Sequence, residues 1–355
     1  MKIDTIDATF KKIPLMTAFT TATGGVSNAS CFFVRIQTDA GLTGYGCGYP
    51  TSMTDESARI AQFFFSQAER IVKGLNPTRI EDVEGKLESL SYANPSVKSA
   101  INMACWDILG KKYDAPLYEL LGYDKPKLPT SVTVSIDSPE SMARQAEFWV
   151  KKGFSILKLK LGSDADANIA SVRDVRKAVG ETVTLRVDAN GAMSLADARR
   201  FLDAASAFDI EFVEQPVSTL DEMCALTSTS PIRIAADETI GGLHDFPGLL
   251  SRQAFHVATL KLNKLGGISP ALKVVGMAEA ATVPCMMGCM AETAISIAAS
   301  LHVALARRNV KYIDLDTFMF LKHQPAEGVK VKKGMMQPRH APGLGVDVDK
   351  KLFKK

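Results

Sequence analysis

From Thr130 to Asp316 the chain repeats one pattern: a short apolar run, a polar strand end, then an amphipathic stretch. The runs read SVTVSI, ILKLKLG, VTLRVDANG, IEFVEQP, IRIAADE, VATLKLN, TVPCMMG and YIDLD. Short β-rich runs alternating with helical patterns predict parallel βα units. Taking one residue at each strand end, the steps from Lys160 through Asp188, Glu214, Asp237, Lys261 and Gly288 to Asp314 are 28, 26, 23, 24, 27 and 26 residues. Each step accommodates one strand, one helix and two short loops, and eight such strands close a barrel. No helical pattern follows the eighth strand.

Residues 1 to 125 lack this period. Cys31 to Gln37 and Leu42 to Gly46, separated by Asp39-Ala40-Gly41, predict an antiparallel hairpin, and helical patterns follow at Asp55 to Val72, Arg79 to Leu90 and Val97 to Leu121. The last stretch, 321–355, is rich in Lys, Gly and Pro and is expected to leave the barrel and return to the N-terminal module. The predicted class is α/β: a (β/α)7β TIM-like barrel over 126–320, with an α+β capping domain formed by 1–125 and the tail 321–355.

Charge narrows the function. The 42 basic and 39 acidic residues give a net +3 without long single-sign blocks, which argues against a nucleic-acid or membrane-surface footprint and for a small-molecule partner. A 46% hydrophobic, 23% charged composition excludes a largely disordered chain. The longest weakly polar stretch, Ile295 to Ala306, is shorter than the roughly twenty apolar residues of a spanning helix. Asp4 and Asp7 interrupt any secretory core. Six cysteines without a CxxC pair predict reduced thiols in a cytoplasmic protein. The five histidines show neither HxH nor HExxH spacing, so His302 is expected to be a packed or surface residue.

Five consecutive barrel strands end in charge: Lys158-Leu159-Lys160, Asp188-Ala189-Asn190, Glu214-Gln215-Pro216, Asp237-Glu238 and Lys261-Leu262-Asn263-Lys264. Strand side chains alternate, so Leu157, Leu159 and Leu161 face the helices while Lys158 and Lys160 point into the barrel, where the C-terminal strand ends form the active site of this fold. Asp188, Glu214 and Asp237 converge from adjacent strands. Their mutual repulsion would be relieved by a hard divalent cation such as Mg²⁺, one per subunit. Lys158, Lys160 and Lys261 could neutralise them directly, yet buried charge networks gain little over apolar packing. Lys160 and Lys261 stand on strands two and six, opposite each other across a closed barrel, as an acid/base pair would.

Taken together, KLK, DAN, EQP, ADE and KLNKLGG, in this order and spacing over nearly the whole chain, resemble the enolase superfamily and its muconate-lactonising subgroup. The resemblance implies a metal on Asp188, Glu214 and Asp237, with Lys160 and Lys261 moving protons at a carbon next to a carboxylate. Within the subgroup, the Asp314 and Asp316 pair and the GCMAET segment look like the dipeptide epimerases, the aspartates suiting a substrate ammonium. Further substrate contacts are expected from Lys158, Thr133, Thr20, Phe19 and Met290, and Asn190, Glu238 and Glu292 are expected behind the reacting groups. Residues 16–21 carry no cation where relatives acting on Ala-Glu dipeptides have an arginine, so neutral or apolar dipeptide side chains are expected. A homo-oligomer is the expected assembly. N-acylamino acid racemase, o-succinylbenzoate synthase and, more distantly, muconate cycloisomerase are the alternatives; a Schiff-base aldolase or a non-catalytic descendant of the barrel stands further off.

Overall fold

The computed structural model describes residues 1–22 and 24–354, with side chains for all of these except residues 17–19. Three antiparallel strands open the chain: β1 (Ile3–Thr21), β2 (Gly24–Thr38) and β3 (Thr43–Gly48). The predicted hairpin is β2 and β3, with Arg35 opposite Tyr45. Helices α1 (Ala58–Val72), α2 (Ile80–Leu90) and α3 (Pro95–Lys112) cover one face of this sheet. The helix expected to run through Leu121 breaks instead. Asp114 takes a left-handed backbone (φ 50°) and Pro116 starts the separate short α4 (Leu117–Leu120).

Sheet and helix approach closely because β3 presents glycines to α3. A Cβ on Gly46 would overlap the Ala100 carbonyl, and one on Gly44 the Ala104 carbonyl. Gly46→Ala should therefore cost about 3 kcal/mol through overpacking. An unchanged denaturation midpoint would show that α3 can back away from the sheet.

After the two-residue β4 (Leu128–Pro129), eight parallel strands follow: β5 (Val132–Val134), β6 (Ile156–Lys160), β7 (Thr184–Asp188), β8 (Ile210–Glu214), β9 (Ile234–Ala236), β10 (Val257–Leu260), β11 (Cys285–Gly288) and β12 (Val310–Asp314). They pair in sequence order, and a parallel bridge from Thr130 to Ile313 joins the last strand to the first. The interior below the strand ends is plugged by Phe212, Ala235, Val257 and Met286, with Arg186 stacked on Phe212 and Tyr312 at 5.2 and 5.1 Å. The outer helices start where side chains cap them, as Asp164, Ser194 and Thr219 each accept a backbone N–H one turn into the helix that follows.

Among the described residues no α-helix follows β12, as the sequence predicted; a 3-10 turn, Thr317–Phe320, leads into the tail. That tail bridges Leu15 through Leu321, pairs Met336 with Leu128, and donates Leu344 N–H to Asp107 Oδ1 on α3 at 2.9 Å. It also closes over the wholly buried helix Ala294–Ala306. His302 inside that helix accepts from Tyr118 N–H at 3.1 Å and meets Leu344 O at 3.1 Å through its other nitrogen, and burial pushes its pKa down to about 4. It is a satisfied core histidine. Among the described residues no helix is long and apolar enough to cross a membrane.

Candidate active site

Strand register decides which side chains meet. Thr133, Lys158 and Arg186 lie in one row across β5, β6 and β7, and Lys160, Asp188 and Glu214 lie in the row above, across β6, β7 and β8. Asp237 and Lys261 follow directly after β9 and β10, so all five charged strand ends converge at one mouth.

Lys158 is the hub. Its ammonium is buried 3.0 Å from Asp188, 2.9 Å from Glu214 and 2.7 Å from Asp314. Lys160 reaches Asp188 at 2.6 Å and Asn190 Oδ1 at 3.1 Å, and Asn190 in turn donates to Glu238 at 3.0 Å. On the other side Asp237 holds Lys261 at 2.6 Å and Lys264 at 2.9 Å. Burial alone would raise Asp188, yet the ammoniums of Lys158 and Lys160 outweigh it and hold the carboxyl at about 2. Asp237 likewise is held well below the usual carboxylate range despite its burial, by Lys261 and Lys264. Burial disfavours the Lys261 ammonium, but Asp237 more than compensates and keeps its pKa above the ordinary lysine value.

Glu214 differs from the other two carboxylates. Burial, only partly relieved by Lys158, pushes it up to about 8, and its Oε1 is buried with no hydrogen-bond partner. Three carboxylates offering only oxygen, one with an oxygen unpartnered, are a donor set suited to a hard divalent cation. Asp188, Glu214 and Asp237 are the candidates for it, although among the described residues no three such side chains stand close enough together to bind an ion, and the ammoniums of Lys158, Lys160 and Lys261 lie against these carboxylates instead.

A second pair of carboxylates stands beside the hub. Asp314 receives Ser131 Oγ at 2.6 Å in addition to Lys158, and Asp316 accepts Thr133 N–H at 2.6 Å. Burial and the repulsion of Asp314 push Asp316 up to about 7. An incoming ammonium would relieve both.

Above these groups lies a cavity of about 320 Å³ that reaches Thr133, Lys158, Lys160, Lys261, Asp314 and Asp316. Its roof comes from the capping domain and supplies Leu15, Val26, Tyr49, Thr51, Ser52 and Met53, with no charged side chain among the described residues. Met290 and Phe320 close the barrel side. Of the other expected contacts, Thr20 has an exposed side chain and it is Thr21 that borders the cavity. The side chain of Phe19 lies outside the described residues. Glu292 is buried behind Met290, accepting its N–H at 3.0 Å, with Asn263 and Lys261 nearby.

Two positioning residues escaped the sequence reading. Ser131 orients Asp314. Gln215, held left-handed at φ 40°, accepts Asp237 N–H at 3.0 Å and Thr239 N–H at 3.1 Å while donating to Val217 O at 2.9 Å, so it ties the loops after β8 and β9 together. Its place inside EQP was the available signal.

With this geometry in view, the chain matches two family models: the mandelate racemase / muconate lactonizing enzyme N-terminal domain over residues 4–122 and the enolase C-terminal domain-like model over 141–352. It is 38% identical to a hydrophobic dipeptide epimerase of Enterococcus faecalis, covering 98% of this chain and 99% of the relative. It is 34% identical to an L-Ala-D/L-Glu epimerase of Clostridium acetobutylicum, covering 94% and 96%. The crystal structure of an Enterococcus faecalis dipeptide epimerase with Mg and L-Leu-L-Tyr superposes with a TM-score of 0.95 at 37% identity, covering 98% of this chain and all of that one. These relatives are isomerases, and so is this chain. The barrel, its cap and its ring of charged strand ends thus make the chain a member of the enolase superfamily, in the mandelate racemase and muconate lactonizing branch.

Proposed function

We propose that this chain is a Mg²⁺-dependent epimerase of dipeptides with neutral or apolar side chains, inverting the carbon next to the terminal carboxylate. The observation that carries this reading is one cavity bordered by two opposed lysines, a carboxylate pair and an uncharged roof. The Enterococcus faecalis relatives, named for hydrophobic dipeptides and solved with Mg and L-Leu-L-Tyr, support it.

Asp188, Glu214 and Asp237 would hold the cation, which when bound supplies positive charge where the substrate carboxylate becomes more electron-rich. The rest is the work of the chain itself. β6 and β10 stand four strands apart in an eight-stranded ring, so Lys160 and Lys261 approach a bound α-carbon from opposite faces. An Nζ that has given up its own proton takes the α-proton, which for Lys261 requires release from Asp237, and the ammonium on the other side returns one to the opposite face. One C–H bond breaks and one forms, leaving composition unchanged. Asp316 and Asp314 fix the free amine and thereby the depth at which the α-carbon sits, while Leu15, Val26, Met53 and Met290 exclude water from it. The reading extends to a cytoplasmic, homo-oligomeric enzyme. Six free cysteines, five of them buried, suit a reducing compartment, and sedimentation measures the assembly.

A dipeptide library incubated with Mg²⁺ in ²H₂O and read by mass spectrometry should show α-deuterium in apolar dipeptides. N-acetylating an accepted dipeptide removes the ammonium and leaves Asp316 without a charged partner and Asp314 with Lys158 alone, a loss of about 2–5 kcal/mol, or about thirty-fold to several thousand-fold in kcat/KM. N-acylated single amino acids outperforming every free dipeptide would overturn the dipeptide assignment in favour of a racemase.

A further inference from the structure

One wall of the substrate cavity is a single turn, Ser52–Thr54, with open space on both sides. Met53 borders the cavity above the lysines and also a second one of about 490 Å³, lying between the ends of α2 and α3 and the loop 241–244. Packing alone does not hold such a wall in place.

Internally the turn is closed. Thr51 N–H donates to Thr54 Oγ1 at 3.2 Å, Thr54 Oγ1 donates to Thr51 O at 3.0 Å, and Glu56 N–H donates to the same carbonyl at 2.9 Å. It therefore moves as a unit, and its anchor is Glu56. This residue is 6% exposed, and its Oε2 accepts Ser96 N–H at 3.1 Å, while its Oε1 and the Ser96 hydroxyl are buried without a hydrogen-bond partner. Ser96 is in the first turn of α3. The residue at the N-cap position, Asn94, is left-handed (φ 64°) and makes no side-chain cap bond, and Pro95 has no N–H to satisfy. A carboxylate from forty residues earlier in the chain thus supplies the cap that the helix lacks locally. Further along α3, Asn102 Oδ1 accepts Ile268 N–H at 2.8 Å and its amide donates to Ser269 Oγ at 3.0 Å, just beyond the loop that carries Lys261.

We infer that Glu56 is a positioning residue for the substrate: by capping α3 it fixes the Thr51–Thr54 turn, and with it Met53, relative to the barrel loop that carries Lys261. The inference rests on the proposed dipeptide site for its kinetic consequences and on the unliganded protein for its structural ones. Glu56→Ala should raise KM for an accepted apolar dipeptide about tenfold while kcat stays within about twofold, the pattern of lost binding rather than lost chemistry. Glu56→Gln, which keeps an acceptor for Ser96 N–H, should restore KM. If Glu56 acts through Met53, the Glu56→Ala/Met53→Ala double variant should be no worse than the worse single one. Amides 51–56 should exchange faster in Glu56→Ala without any ligand. Val83→Ala, deep in the cap core, should lower stability without moving KM. Should the alanine variant fail to fold, Glu56→Asp, one methylene shorter, carries the same expectation.

An unchanged KM in Glu56→Ala, effects that multiply in the double variant, or an equal rise in Val83→Ala overturns the inference. A wild-type enzyme inert toward every dipeptide removes the proposed function instead, and the exchange arm then decides alone: unchanged protection of 51–56 overturns the role of Glu56.

Discussion

Lys160→Ala and Lys261→Ala should each abolish net epimerisation, and each variant should still exchange the α-proton of one epimer with solvent. The two ammoniums sit in separate ion pairs, Lys160 with Asp188 and Lys261 with Asp237, both at 2.6 Å. Removing one leaves the other in place. A base that faces only one side of the α-carbon can remove and return a proton there, but it cannot invert the centre. The loss in turnover should reach the upper end of the range for a positioned acid or base, about 10³- to 10⁴-fold or more. Chiral chromatography follows inversion, and ¹H NMR in ²H₂O follows exchange. Wild-type epimerisation by either variant would remove the two-base mechanism.

Glu214→Gln should abolish activity with little loss of stability, and Asp237→Asn should lose both. Asp237 is the partner of two buried ammoniums, Lys261 and Lys264, and removing one member of such a group costs about 3–5 kcal/mol. Glu214 shares Lys158 with Asp188 and Asp314 and has an oxygen with no hydrogen-bond partner, so the folded protein depends on it far less. If its purpose is a divalent cation, metal affinity should collapse in Glu214→Gln while the thermal midpoint without metal stays near wild type. Asp188→Asn should also be inactive, and excess EDTA should silence the wild-type enzyme. Full activity in EDTA, with elemental analysis finding no retained metal, would sink the metal assignment.

The barrel could be read from the chain because every strand is short and five in a row end in charge. The step from Lys160 to Asp188 survives as neighbours in register, and so does the step from Asp188 to Glu214. β1 was missed for a local reason. Register shifts near Ile3 and after Pro14 break the alternation of inward and outward side chains along its nineteen residues, so the period-two signal disappears. The overlong helix prediction across Lys112 has the converse cause: α3 and α4 both bury apolar residues against the same core, so the pattern runs on through a backbone that does not. In the site, residues that react could be read from their chemistry. Those that orient them could not. Ser131 meets Asp314 from 183 positions away, and nothing in a lone serine announces that contact.

The returning tail has a consequence for engineering. On the proposed function the roof of the cavity would meet the dipeptide side chains, which makes the N-terminal module an obvious segment to exchange between relatives. Asp107, however, is shared: one oxygen accepts Leu344 N–H from the tail, and the other accepts Tyr45 N–H and pairs with Lys111 inside the cap. Lys322 N–H likewise donates to Pro14 O at 2.9 Å, and Arg35 lies 4.9 Å over the Phe353 ring. A transplant of the first 125 residues would set one protein's cap against another's tail at each of these points. The exchangeable unit is discontinuous, and a chimaera designed to carry a new specificity has to take both ends of the chain from the same parent.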